Sequence, residues 1–388
     1  MNRVTSILVS SLFVLLIIAS ISIESGAASR YASLLGTRDG ARKLTALARM
    51  EEQRALDLDL LAQLVSDGNP AIRLRCAEVL GRVGDPAGVP LLGLLTEDSN
   101  DDVKEASVFY LGLVGDESAV APLRRVLSGT GMRFKIRALE ALAMTKEREA
   151  APDIAAYLSN FNSSLRSTAA FALYVLGDST SAERCATAIF DPDPKVLSNV
   201  VYTMGRLGYD EYEKRMIELL EHEDEKIRLR AAEALGRLKS KGAIDALYVL
   251  TGDSDRMTAL KAAEALGRIG DKKCSRALEE LLDNNDVYMR TVALEGLASI
   301  GRKQSFERIA PLLGSGSLMV RLAALQAAGA TRESDARKHL LDAYRNGGPL
   351  ERMTALEALG RLSDKQDLSL ICSALESAGD ALVREGAA

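Results

Sequence analysis

The chain has 388 residues, 47% of them hydrophobic and 27% charged, with a net charge of −5 and no tryptophan. That apolar content excludes an intrinsically disordered chain, and the acidic balance excludes a general electrostatic pull toward nucleic acid or anionic membranes. Four cysteines in so long a chain exclude a disulfide-stapled miniature fold.

In chain order, Val4 to Ile23 come first, a run of uncharged residues between Arg3 and Glu24 that is long enough to cross a bilayer. Ser25-Gly26-Ala27-Ala28-Ser29 then supplies the small residues at which a signal peptidase cuts. Residues 1–28 are therefore expected to be a signal peptide or an N-terminal membrane anchor. The chain would then be exported, either periplasmic or otherwise extracytoplasmic, or anchored in the inner membrane by residues 4–23, and that segment would be its sole membrane contact. Residues 29–66 read as a linker and an N-terminal helical cap. From 39 to 66 the pattern is helical, with Leu44, Leu47, Leu58, Leu61 and Leu64 apolar, but out of phase with the residues from 67 onward.

From Leu80 onward an apolar residue recurs every 31 residues without an insertion, at Leu111, Leu142, Leu173, Met204, Leu235, Leu266, Leu297, Ala328 and Leu359. A strict period of this length marks a solenoid whose units bury their apolar faces against their neighbours. Eleven positions before these anchors stand Asn69, Asn100, Gly131, Asn162, Asp193, Asp224, Asp255, Asp286, Ser317 and Gly348, residue types that cap helices, so a helix is expected to start there in every copy. Seven before the anchor the residue is basic in eight of ten copies, and four before it the side chains are mostly small, as in Ala138, Ala231 and Ala293.

The turns after the helix, such as Val83-Gly84-Asp85, Val114-Gly115-Asp116, Leu176-Gly177-Asp178 and Ile269-Gly270-Asp271, place Gly at a left-handed helix end and Asp as the next cap. A second, shorter amphipathic segment comes next, as in Ala119 to Leu127. No run alternates with period two over a useful length. The expected fold class is all-α, an α-solenoid of about ten 31-residue helical hairpins over residues 67–375, with residues 376–388 a truncated C-terminal repeat or cap.

The strings Ala231-Ala232-Glu233-Ala234-Leu235-Gly236-Arg237-Leu238 and Lys261-Ala262-Ala263-Glu264-Ala265-Leu266-Gly267-Arg268-Ile269-Gly270-Asp271 resemble the HEAT-repeat family, and most closely its short PBS-lyase HEAT-like type. The resemblance covers roughly residues 69 to 375. It implies a right-handed superhelix. It also implies a ladder of bonds between successive repeats, made by the acid before each helix and the Arg inside it, and placed on Asp224 with Arg228 and Asp286 with Arg290. The basic column is then scaffold and not a nucleic-acid stripe, and no nucleic-acid partner is expected. The same repeats occur in scaffolds, adaptors and a few enzymes.

Catalytic equipment is sparse. His222 and His339 are the two histidines and lie almost four repeats apart. His222-Glu223 is one such pair where the helical-repeat hydroxylases of deoxyhypusine use several. No phosphate loop, nucleophile elbow or paired-cysteine motif occurs. Cys76, Cys185, Cys274 and Cys372 lie three repeats apart, too far for disulfides, and read as buried small apolar residues. No cofactor or metal is expected. The competing class is an enzyme subunit of the bilin-lyase-like type, a chromophore or covalent-modification factor, which the family resemblance alone brings in.

Two positions before the anchor the usual residue is polar, as in Glu78, Glu140, Glu233, Glu264, Glu295, Gln326 and Glu357. This column should face water, with Arg82, Arg237, Arg268 and Arg361 one helical turn on. Phe109, Phe171 and Tyr202 break the rule, and Tyr110 and Tyr174 sit beside them in sequence. Exposed aromatic side chains anchor binding hot spots. Phe109, Tyr110, Phe171, Tyr174 and Tyr202 are therefore the candidate partner-binding residues of a non-enzymatic protein–protein interaction scaffold or adaptor.

Overall fold

Helices begin where the capping column places them. The computed structural model describes residues 40–362 apart from residues 55, 130 and 178. The expectations for residues 1–28, Asp178, Cys372 and residues 376–388 fall outside the described residues. Two compact units divide between Ile154 and Ala155. The first contains α1 (Gly40–Gln53), α2 (Leu58–Leu64), α3 (Pro70–Val83), α4 (Val89–Leu95), α5 (Asp101–Val114), α6 (Val120–Ser128) and α7 (Met132–Thr145). After α8 (Ala151–Ala155), the second contains α9 (Ser163–Leu176), α10 (Ser179–Ala186), α11 (Pro194–Leu207), α12 (Glu213–Glu218), α13 (Glu225–Arg237), α14 (Ile244–Leu250) and α15 (Arg256–Ile269). It continues with α16 (Cys274–Glu280), α17 (Val287–Ile300), α18 (Phe306–Ile309), α19 (Leu318–Thr331), α20 (Ser334–Asn346) and α21 (Pro349–Leu362). No strand occurs among the described residues.

The fold is an all-α solenoid of paired helices. Within each unit the long, odd-numbered helices stack on one another, and a short helix packs against the next long one, as α4 does on α5 and α14 on α15, while the longer α20 packs on α21. Side chains of Asn69, Asn100, Asn162, Asp193, Asp224, Asp255 and Asp286 each accept a backbone N–H of the first turn, a contribution of about 1 kcal/mol apiece. The far ends turn through left-handed residues. Gly84 has φ 74° and Gly115 φ 69°, whereas Lys146 and Arg332 take φ 60° and 53° in copies without the glycine, a strain of roughly 1–2 kcal/mol for a residue with a Cβ.

All ten anchors are buried. Within each unit the residue just after an anchor meets the residue just before the next, as at Gly112–Ala141, Gly205–Ala234, Gly267–Gly296 and Gly329–Ala358, and these positions are small because the long helices touch there. A Cβ on Gly236 would lie 2.7 Å from the Cα and Cβ of Ala265, and one on Gly112 would lie 2.7 Å from the Cα of Ala141. The short helices have no such column. The capping stretch also finds its explanation: α1 stacks on α3 as a long helix does, with Met50 and Ala46 fully buried. Met50 precedes Leu80 by 30 residues instead of 31, so one missing residue is what puts this segment out of phase.

The ladder between repeats exists, but it uses different acids from those expected. Asp224 caps its own helix, and Arg228 reaches forward to Asp253, donating from Nε at 2.7 Å and Nη2 at 2.9 Å. Its Nη1 donates back to the carbonyl of His222 at 2.8 Å. Arg73 bridges Asp98 and the Asp67 carbonyl in the same way, and Arg166 bridges Asp191 and the Asn160 carbonyl. Asp286 is held by Arg256 of the preceding copy, not by Arg290.

The acid that matters therefore stands thirteen before the anchor, where the side chain also accepts the N–H of the capping residue. Asp98, Asp191 and Asp253 do so at 2.7, 2.9 and 2.7 Å. His222 occupies this column, and its Nδ1 accepts the Asp224 N–H at 3.0 Å. Turn geometry is thus the role of this histidine.

Candidate partner-binding site

On the long helices the most open face is formed by positions ten, nine and two before the anchor and two after it, since the other columns are largely taken up by packing and the ladder. Phe171 at the middle of α9 is 47% exposed, and its ring tilts against Tyr174 at 5.8 Å between centroids. Tyr202 on α11 meets Tyr174 edge-on at 4.9 Å. Stacking of α9 on α11 is what brings residues from neighbouring copies into one cluster.

Arginines complete the cluster. The Arg206 guanidinium lies 5.6 Å from the Tyr174 ring centroid and 5.9 Å from that of Tyr202, and it donates to the Tyr174 hydroxyl at 3.2 Å. Arg230 sits 4.4 Å over the Tyr202 ring, within the range in which the ring quadrupole attracts a cation. A hydrogen bond from Tyr202, together with the charges of Arg206 and Arg237, pushes the Tyr174 phenol below the ordinary tyrosine range.

Phe109 and Tyr110, in the first unit, form a separate edge-to-face pair at 5.2 Å. Phe109 is half-buried. Tyr110 is only 4% exposed: its ring lies over Gly81, where a Cβ would come within 2.1 Å of it, and burial pushes its phenol up. Tyr110 therefore serves packing, in a column that is small elsewhere, and the aromatic surface narrows to Phe171, Tyr174 and Tyr202 with Phe109 apart.

A second exposed feature escaped the sequence reading. Met257, Tyr288, Met319 and Leu350 stand nine before four successive anchors and are 49%, 55%, 47% and 40% exposed. Earlier copies carry Ala71, Asp102, Arg133, Ser164, Lys195 and Lys226 in that column. The change from mostly polar to apolar residues is present in the sequence, but the exposure of this column is set by which columns the neighbouring copy covers.

Cys76, Cys185 and Cys274 are free and buried, and burial pushes the Cys76 and Cys185 thiols up to about 12. Among the described residues no group of His, Cys, Asp and Glu could hold a metal ion. A cleft of about 420 Å³ is lined by His339, Asp342, Asn346 and Glu351, but Glu351 is engaged by Arg321 and His339 packs on Phe306.

A sequence profile described as HEAT repeats matches residues 41–107, 89–173, 212–298 and 275–351. The chain belongs to the HEAT-repeat family. No curated protein matches it. Among solved structures it is similar to Kap121p, at 15% identity and a TM-score of 0.59 over 97% of this chain and 50% of that one. It is also similar to Kap121p bound to Nup53p, at 15% identity and a TM-score of 0.60 over 94% and 49%, and to Kap121p bound to Pho4p, at 14% and 0.58 over 94% and 49%. The chain thus spans about half the length of the karyopherin it matches. At this identity the likeness carries the fold alone.

The expectation of export is corrected by these likenesses. The structures sharing this fold over nearly the whole chain are those of a karyopherin, alone and with protein partners. The signal-peptide, periplasmic and membrane-anchored assignments, and the membrane contact through residues 4–23, find no counterpart among these structures and are not carried further. Among the described residues no helix is long and apolar enough to cross a membrane.

Proposed function

We propose that the chain is a non-enzymatic protein-binding scaffold whose long helices carry a partner seat at Phe171, Tyr174 and Tyr202. One observation carries the reading: rings occupy a water-facing column that other copies give to Glu, and Phe171 remains 47% exposed there. A side chain kept apolar on a face that the repeat makes polar serves contact with something outside the chain. Kap121p has been captured with Pho4p, Ste12p, Nup53p and the extreme C-terminus of the phosphatase Cdc14p, which supports protein binding as a use of this fold.

The test is the double variant Phe171→Glu, Tyr202→Glu, which restores the repeat's own consensus, with Phe109→Glu as a separate variant. Proteins co-purifying with the wild-type chain should be lost from the double variant by about 2 kcal/mol or more in affinity, while stability changes by about 0.5 kcal/mol or less. Retention of every partner, or a collapse of the melting transition, refutes the seat.

A further inference from the structure

The aromatic cluster holds an arginine that the repeat has left without a carboxylate. In other copies the Arg two after the anchor is neutralised: Arg82 by Glu51, Arg237 by Glu233 and Arg268 by Glu264. Arg206 has the same place, but Tyr202 stands where its helical-turn partner Glu would be. Its side-chain hydrogen bond goes instead to the Tyr174 hydroxyl, and two rings flank it. Arg230 and Arg237 share the single carboxylate of Glu233. Three guanidinium groups thus meet one carboxylate, a local positive excess on a chain whose net charge is −5.

We propose that the surface around Arg206 binds an acidic peptide segment of a partner protein, seating a carboxylate on Arg206 and an apolar side chain on Phe171. The inference rests on the protein-binding reading above and adds the partner's chemistry. A guanidinium held between two rings is pre-organised, so it meets a carboxylate in the planar, two-bond fashion at low entropic cost. Phe171 lies beside Tyr174 on the same face and offers the apolar half of the contact. A nucleic-acid strand fits less well. Its phosphates repeat along the strand, whereas Glu233 and Glu264 succeed Tyr202 in the same column and would oppose such a track.

The experiment is selection of short random peptides displayed on phage against the full chain, repeated on Arg206→Gln and on Phe171→Ala. The expected pool is rich in Asp or Glu next to an aliphatic or aromatic residue. Synthetic members should lose about tenfold or more in affinity on Arg206→Gln, on exchange of the acid for its amide, and at raised salt, with the melting transition unchanged. A pool without acidic enrichment, bound equally by Arg206→Gln but lost on Phe171→Ala, overturns the acidic-partner proposal and leaves the protein-binding seat standing. A pool indifferent to both variants overturns both. Tighter binding of an oligothymidine than of any peptide also overturns the proposal.

Discussion

The ladder correction can be tested as a contest between two acids for Arg228. Arg228→Leu removes two bonds to Asp253 and the donors to the His222 and Glu223 carbonyls. The two side chains are 15% and 8% exposed. Breaking a buried ion pair from one side costs about 3–5 kcal/mol. Here the carboxylate keeps the Asp255 N–H and both groups retain some water, so the loss should be about 2–3 kcal/mol. Asp253→Asn preserves an acceptor for that N–H, which makes the double variant a clean cycle. Urea unfolding of the singles and the pair should give a coupling of about 1–3 kcal/mol between Arg228 and Asp253. The transition should also broaden, because the lost term is an interface between repeats. Asp224→Ala should cost about 1 kcal/mol as a lost cap and couple to Arg228→Leu by less than about 0.5 kcal/mol. A larger coupling to Asp224 than to Asp253 would refute the geometry and restore the pairing inferred from the sequence.

The same scaffold sets other outcomes. Gly236→Val should destabilise by about 2 kcal/mol, since its Cβ would meet Ala265 at 2.7 Å; an unchanged urea midpoint would mean that the long helices do not touch there. Arg73 and Arg228 hold the carboxyls of Asp98 and Asp253 below the usual range. Their stabilisation is therefore present above the unfolded aspartate value, near 3.8, and is lost as pH falls through the depressed folded value. Melting monitored from neutral pH downward should show this loss shrink in Asp98→Asn. Glu295 goes the other way: partial desolvation by its surroundings and then the neighbouring Glu264 raise its carboxyl, although the residue remains open to water. Its favourable contribution is complete below the unfolded glutamate value near 4.5 and is lost as pH rises through the folded one. Glu295→Gln should accordingly raise the melting temperature at pH 7 and change it little in acid; a lower melting temperature at pH 7 would contradict the stated repulsion. In a Cys372→Ser background, Cys76, Cys185 and Cys274 should resist a thiol reagent until the chain unfolds, because burial keeps their thiols protonated.

Much of the scaffold was legible because each requirement recurs ten times. One Asn before a helix is weak evidence, but Asn, Asp, Ser or Gly at the same place in every copy locates the helix starts to the residue, as at Pro70, Asp101 and Arg256. Pairing across repeats was less legible. An Arg that needs an acid has two at hand in sequence, the cap of its own helix and the residue two before the cap of the next copy, and only the stacking of that copy decides that Asp253 and not Asp224 receives Arg228. Tyr110 failed as a surface residue for a similar reason. It lies one before its anchor, in a column buried against the preceding copy, and Gly81 is the space that its ring fills. The apolar row from Met257 to Leu350 was missed because exposure depends on which columns the neighbouring copy covers.

These cases bear on where function can reside in such a chain. The columns at thirteen, eleven and seven before the anchor, and those flanking it, are occupied by turns, caps, ladder bonds and helix contacts, so replacing them costs the fold. Columns nine and two before the anchor and two after it cost the fold little, and the repeat commonly fills the last two with Glu and Arg that neutralise each other. A binding surface then needs no new architecture. Tyr202 in place of Glu removes one carboxylate, leaves Arg206 charged and gives it an aromatic wall, so a single departure from the consensus alters charge, shape and polarity together. The same logic separates Tyr174 from Tyr110: each is a ring in a small-residue column, but Tyr174 turns out over Tyr202 and Arg206, whereas Tyr110 turns inward over Gly81. Departure from the consensus points to function only where the departing side chain reaches the exposed face.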